Sequence, residues 1–165
     1  MKRIVIFALA AICFCQLHAQ GLKKVYDETL DPIQQLMDAQ KEANKDKKLI
    51  IAQVGGNWCK WCLRLADFIA SDEELNNFVK EHFVYIHLNY TRGDNSKRME
   101  ELMTTFGNPQ RFGFPVLLVL NNKKANGFLE HIQDSSFLEE GDSYSKEKVM
   151  RFLKSWTYEA VNGQE

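Results

Sequence analysis

Leu49-Ile50-Ile51-Ala52-Gln53-Val54-Gly55-Gly56-Asn57-Trp58-Cys59-Lys60-Trp61-Cys62-Leu63-Arg64-Leu65 is the stretch on which the reading of this chain turns. Leu49 to Val54 is too short and too rich in β-branched residues for anything but a buried strand. Leu63 to Ile69 has the look of a helix. Between them lie a glycine pair and two cysteines separated by two residues. A helix opening on Cys-x-x-Cys sets its free N–H groups and positive dipole end beside the first sulfur. The thiolate is the reactive form of cysteine, and such a terminus stabilises it, so this is a setting for dithiol–disulfide chemistry.

The other two cysteines, Cys13 and Cys15, lie at the start of the chain. Lys2-Arg3, the apolar run Ile4 to Leu17, and Ala19 before Gln20 read as a secretory signal peptide over residues 1–19, cleaved after Ala19. The rival is an uncleaved anchor. The run falls short of the ~20 residues a spanning helix needs, and Gln16 and His18 interrupt its end. Bulky Ile12 and Phe14 argue against lipid attachment at Cys13 or Cys15. The expected location is therefore outside the cytoplasm, with the periplasm as compartment.

Cleavage would leave about 146 of the 165 residues, enough for one domain over 20–165 with a loosely ordered start over 20–30. It would also leave Cys59 and Cys62 as the sole sulfur pair. Exported proteins commonly use cysteines as staples, but a bridge across so short a loop stabilises by only roughly 2 kcal/mol. Chemistry is the better reason for the pair. Loss of Lys2 and Arg3 takes the balance from 21 basic against 22 acidic residues to 19 against 22. That favours neither nucleic acid nor an anionic membrane surface as partner. The basic run Lys41 to Lys48 is interleaved with Glu42 and Asp46 and reads as the solvated end of a helix.

Outward from the central stretch, Asp31-Pro32 is an N-cap with proline at the first helical position, and the helix runs to about Lys45. Ser71-Asp72-Glu73-Glu74 reads as a capping box opening a short helix to Lys80. Phe83 to Asn89 is a second strand. Ser96 to Phe106 is helical, with Met99, Leu102, Met103 and Phe106 on one face. Val116 to Leu120 is a third strand, Asn121 to Gly127 is turn chemistry, and Phe128 to Gln133 returns as an antiparallel edge strand. Phe137 and Leu138 are expected to pack down in the connection that follows. Lys146 to Tyr158 closes the chain as an amphipathic helix, with Val149, Phe152, Leu153 and Trp156 inward. Alternation of helix and strand, then a hairpin and a last helix, implies a three-layer α/β domain with a mixed sheet.

With Trp58-Cys59-Lys60-Trp61-Cys62 and Phe112-Gly113-Phe114-Pro115 ahead of an apolar strand, the chain resembles the thioredoxin superfamily from Leu49 to the last helix. The resemblance implies a thioredoxin-like three-layer α/β/α sandwich with a mixed central sheet. It implies that Pro115 is a cis-proline set against the dithiol. It further implies an exported thiol–disulfide oxidoreductase acting on protein thiols and disulfides, with the reductive direction favoured. Cys59 would attack and Cys62 would resolve the mixed disulfide. A membrane or soluble thiol partner would donate or accept the electrons, the protein would be a monomer, and no cofactor or metal would be needed. Lys60 is expected to favour the Cys59 thiolate, lowering its pKa, and Trp61 to shield the site partly. Trp58, Trp61 and Phe114 would form an apolar surface for unfolded or extended substrates.

Four positions depart from the family pattern. Gln53 stands where many thioredoxins bury an aspartate, and His87 aligns with the lysine that pairs with it. His87 either moves a proton near neutral pH or, as the favoured reading, is a histidine hydrogen-bonded on a strand. Gly55-Gly56 replaces bulkier residues and would let a partner's backbone come close. Structural zinc is the main rival for any Cys-x-x-Cys, but it needs four ligands, and His82, His87 and His131 lack ligand spacing. A non-catalytic thioredoxin-fold module that binds clients or an assembly partner is the alternative function. Such modules often lose a cysteine, and this chain keeps both.

Overall fold

The computed structural model describes residues 21–91, 96–121 and 129–163. The signal-peptide reading, the loop around Gly93 and most of the Asn121–Gly127 turn lie outside those residues. The described elements run α1 (Pro32–Asp46), β1 (Leu49–Gly55), α2 (Lys60–Ser71), α3 (Glu73–His82), β2 (Phe83–Asn89), α4 (Ser96–Thr105), β3 (Val116–Leu120), β4 (Leu129–Asp134), β5 (Glu139–Glu140), β6 (Ser143–Tyr144), α5 (Lys146–Ser155) and α6 (Tyr158–Asn162).

The main sheet has the order β2-β1-β3-β4. β2 is parallel to β1, β3 is antiparallel to β1, and β4 is antiparallel to β3. The sheet is therefore mixed, with β4 at its edge. All seven residues of β1 are buried, as expected of a central strand covered on both faces. Alternation sends Leu49 and Ile51 into one core, with Leu65, Leu75, Val149 and Leu153. Ile50, Ala52 and Val54 enter the other, with Leu36, Ala39, Met99 and Met103. One helical layer is thus α1 with α4, the other α2, α3 and α5. The α/β/α sandwich read from the sequence is the fold found.

α1 begins as the sequence predicts: the Asp31 carboxylate accepts from the N–H groups of Ile33 and Gln34, and Pro32 takes the first helical position. α3 departs in its cap. The residue that caps it is Asp72, whose carboxylate accepts the Leu75 N–H at 3.0 Å; Ser71 is still the last residue of α2. A carboxylate is a full charge at the positive helix end, which a serine hydroxyl is not. The closing helix also divides. Trp156 ends α5, and Thr157 caps α6 by accepting the Ala160 N–H.

In the connection after β4, Leu138 is buried but Phe137 is 72% exposed. A four-residue 3-10 turn over Ser135–Leu138 points consecutive side chains in different directions, so only one of the two reaches the core. The expectation that both pack down fails for Phe137. The short β5–β6 hairpin was not foreseen either. It brings Tyr144 over α2, where the hydroxyl donates to the Trp61 carbonyl at 3.2 Å.

The stretch 21–30 carries no helix or strand, yet it is fastened down. The Asn57 side chain accepts from the N–H groups of Val25 and Tyr26 and donates to the Tyr26 carbonyl at 2.7 Å. Tyr26 is only 4% exposed. One asparagine in the turn after β1 therefore converts the expected loose start into an anchored segment beneath that turn.

Candidate active site

β1 ends at Gly55 and the chain turns through Gly56 to Cys59, whose N–H donates to the Gly56 carbonyl at 3.0 Å. Cys59 is the N-cap of α2. Its sulfur accepts the Cys62 N–H at 3.1 Å, so one of the free donors of the helix end is aimed at that sulfur. Cys59 and Cys62 are disulfide-bonded, with Sγ atoms 2.15 Å apart. Cys62 is fully buried, while Cys59 keeps 8% exposure. The two cysteines are inequivalent: the first keeps some exposure and the second has none.

Across the site, the Phe114–Pro115 peptide is cis, and the Phe114 carbonyl oxygen lies 3.7 Å from Cys59 Sγ. Phe114 makes edge-to-face contact with Trp58, ring centroids 5.4 Å apart, and packs on Tyr90 at 5.0 Å. Trp58 is 58% exposed. Its indole N–H donates to the Tyr90 carbonyl at 2.9 Å, which fixes the ring beside Cys59. Trp58 and Phe114 thus come together, joined by Tyr90. Trp61 turns toward the hairpin instead, edge-to-face on Tyr144 at 5.5 Å with the Arg64 guanidinium 4.7 Å from its centroid. Lys60 is exposed on the first turn of α2. It lines an open groove with Leu22, Asn57, Trp58, Leu63 and Arg64.

Behind the dithiol, Gln53 is buried and fully engaged. Its amide nitrogen donates to the Cys62 carbonyl at 2.9 Å and to the Tyr26 hydroxyl at 2.5 Å. Its amide oxygen accepts from the Tyr85 hydroxyl at 2.7 Å. His87 is the register partner of Gln53 in the β1–β2 ladder, with its ring against those of Tyr26 and Tyr85. Burial pushes the His87 pKa down to about 4, so the ring is neutral at neutral pH. Its Nε2 is buried with no hydrogen-bond partner among the described residues. That departs from both sequence readings: this ring nitrogen makes no hydrogen bond among the described residues, and the low pKa keeps the ring from titrating near pH 7.

The glycine pair leaves no room for a visitor. A Cβ on Gly55 would stand 2.5 Å from Cys62 Sγ, and one on Gly56 would stand 2.4 Å from the Trp58 indole nitrogen. The space opened by the missing side chains is filled by the chain's own sulfur and indole, which corrects the expectation of a partner's close approach. Two residues of the site escaped the sequence reading, Tyr26 and Tyr90. Tyr90 had a signal, because it directly follows the C-terminal end of a strand parallel to β1. Tyr26 had only the faint one of a single aromatic among charged residues.

A dithiol pair capping a helix opposite a cis-proline at one end of a mixed sheet defines the class of thioredoxin-fold proteins that carry a thiol–disulfide oxidoreduction site. The chain belongs to the Thioredoxin-like family, whose model matches residues 31–122. Among solved structures it is similar to a disulphide isomerase from Xylella fastidiosa Temecula1, with 22% identity over 81% of this chain and 97% of that one at a TM-score of 0.65. A thioredoxin from Thermus thermophilus matches at 16% identity over 77% of this chain and 85% of that one, TM-score 0.54. A DsbH oxidoreductase matches at 16% identity over 86% and 90%, TM-score 0.53. These likenesses establish the fold. No curated protein sequence matches the chain.

Proposed function

We propose that the chain is an exported thiol–disulfide oxidoreductase that exchanges disulfides with protein substrates through Cys59 and Cys62, with reduction of substrates as the favoured direction. The observation that carries this reading is the unequal pair: Cys59 at the rim receives a helix N–H, and Cys62 is closed off one turn behind it. In the reductive direction the Cys59 thiolate attacks a substrate disulfide, and the departing substrate sulfur leaves as thiolate. The Cys62 thiolate then attacks Cys59 in the mixed disulfide, the intramolecular bond closes, and the second substrate thiolate departs. A dithiol partner resets the pair by the same steps reversed. The exposed Trp58 face, with Phe114 and Tyr90, supplies an apolar rest for an extended chain. Export rests on residues 1–19, and the periplasm follows as the compartment.

The test uses the chain from Gln20 onward. With dithiothreitol as reductant it should accelerate insulin disulfide reduction above background. In the exporting cell, Cys62→Ser should accumulate mixed disulfides with other exported proteins, and Cys59→Ser should not. No acceleration, or equal trapping by both variants, would overturn the reading. Capture of clients by the intact protein without turnover would point to the binding-module alternative.

A further inference from the structure

The buried polar cluster under Cys62 has a fixed hydrogen-bond polarity. The Cys62 carbonyl can only accept, so the Gln53 nitrogen faces it and the Gln53 oxygen faces Tyr85. The second N–H of that amide goes to the Tyr26 oxygen. Tyr26 therefore accepts from Gln53, and its own O–H has no recorded acceptor among the described residues. The Cys62 sulfur, a weak acceptor that becomes a strong one as thiolate, lies close by. The position of a Gly55 Cβ is 2.5 Å from Cys62 Sγ and 2.8 Å from the Tyr26 oxygen, so both atoms close in on the same point beside Gly55. Tyr26 also shares a buried cluster with Cys59, Cys62 and Leu63.

From this geometry we propose that the Tyr26 hydroxyl donates a hydrogen bond to the Cys62 sulfur when the disulfide opens, stabilising the thiolate formed there. The proposal rests on the dithiol reading above. In the step concerned, a thiolate from an incoming dithiol bonds to Cys59 Sγ and the Cys59–Cys62 bond breaks. The bonding electron pair stays on Cys62 Sγ. Tyr26 O–H turns to that negative sulfur and keeps its proton. In the reverse step, the same bond holds Cys62 as thiolate for its attack on the mixed disulfide.

The surroundings make a hydroxyl the fitting donor. The titratable groups on this face are Tyr26, Tyr85 and His87, with Tyr144 beyond Trp61. Burial dominates the shift of each of the four, raising the three phenols and lowering the imidazole. All are neutral near pH 7. No charged side chain contributes to the shifts of Tyr26, Tyr85 or His87. A buried thiolate beside a neutral wall is costly unless a donor reaches it. Tyr26 meets that need without becoming ionised itself.

The test reads Cys62 acidity directly and needs no turnover, so it can fail while the oxidoreductase reading stands. In a Cys59→Ala background, Cys62 is titrated by its ultraviolet thiolate absorbance. Tyr26→Phe should raise the midpoint by about one unit, a roughly tenfold loss of acidity, the order of a single hydrogen bond to a charged group. Tyr144→Phe removes the hydroxyl of another buried tyrosine, one that bonds the Trp61 carbonyl on the first turn of α2, and should leave the midpoint in place. An unchanged or lowered midpoint in Tyr26→Phe, or an equal shift in Tyr144→Phe, overturns the proposal. Should Tyr26→Phe fail to fold, the Tyr26 hydroxyl proton in the Cys59→Ala protein decides by nuclear magnetic resonance. It should move downfield as Cys62 ionises, and no movement overturns the proposal.

Discussion

His87 is the one residue of the site whose charge state is set against its solvent value by burial alone. Its pKa falls from 6.5 unfolded to about 4 folded. The unfolded chain therefore binds a proton below about pH 6.5 that the folded chain refuses until about pH 4. The stability cost of keeping His87 neutral is absent above that window, grows as pH falls through it, and levels below it. The shift corresponds to on the order of 3 kcal/mol. His87→Gln should lessen the loss of stability between pH 7 and pH 4 in denaturant titrations. An identical pH dependence in the two proteins would show that another group governs it. Residue by residue, the sulfur chemistry was legible because it is local: Cys59, Cys62 and the helix start are contiguous. Tyr26 was not, because nothing in Lys23-Lys24-Val25-Tyr26-Asp27 tells that an asparagine thirty-one positions on will bind its backbone.

At the scale of elements, the start of α3 does more than end one helix and begin another. Asp72 caps α3 and also meets Lys146 of α5 at 2.9 Å, and Glu74 meets the same lysine at 2.8 Å. The Leu75 N–H, then Lys146, hold the Asp72 carboxyl below its usual pKa. Its contribution is therefore present above the unfolded carboxylate pKa and fades as pH drops through the folded one. Asp72→Ala should lower the melting temperature, whereas Asp72→Asn should retain most of it, since asparagine caps as well as aspartate. Equal losses would shift the weight from the cap to the Lys146 pair. Strong periodicity made the strands and α1 readable from sequence. The cap was misplaced by one residue because Ser71 and Asp72 are both good caps, and packing, which the sequence does not display, chose between them. The break at Trp156-Thr157 was hidden for a similar reason: Tyr158 continues the apolar pattern of α5 in a separate helix.

For the whole molecule, the site lies where three distant segments meet: the anchored stretch around Tyr26, the turn from Gly55 to Cys62, and the cis-proline loop at Phe114–Pro115. Layer order and sheet type followed from the alternation of elements, but this convergence did not, because it is fixed by long-range hydrogen bonds. Asn57 is the clasp. Asn57→Ala leaves the Val25 and Tyr26 N–H groups and the Tyr26 carbonyl without that partner, which should cost about 1–2 kcal/mol of stability. Hydrogen exchange of Val25 and Tyr26 should quicken well before that of β1. Unchanged protection there would show that the segment is held by Tyr26 packing alone.

The Cys59 sulfur lies against the carbonyl of a residue fifty-five positions away, and beside Cys62 stands the hydroxyl of a tyrosine thirty-six positions earlier in the chain. Neither neighbour exists in an unfolded polypeptide. The dithiol of a newly made chain lacks both neighbours, and whatever tuning they give it arrives only when the distant segments dock. The rate at which the pair reacts should therefore change as the last distant segment docks, which would make it a reporter of maturation.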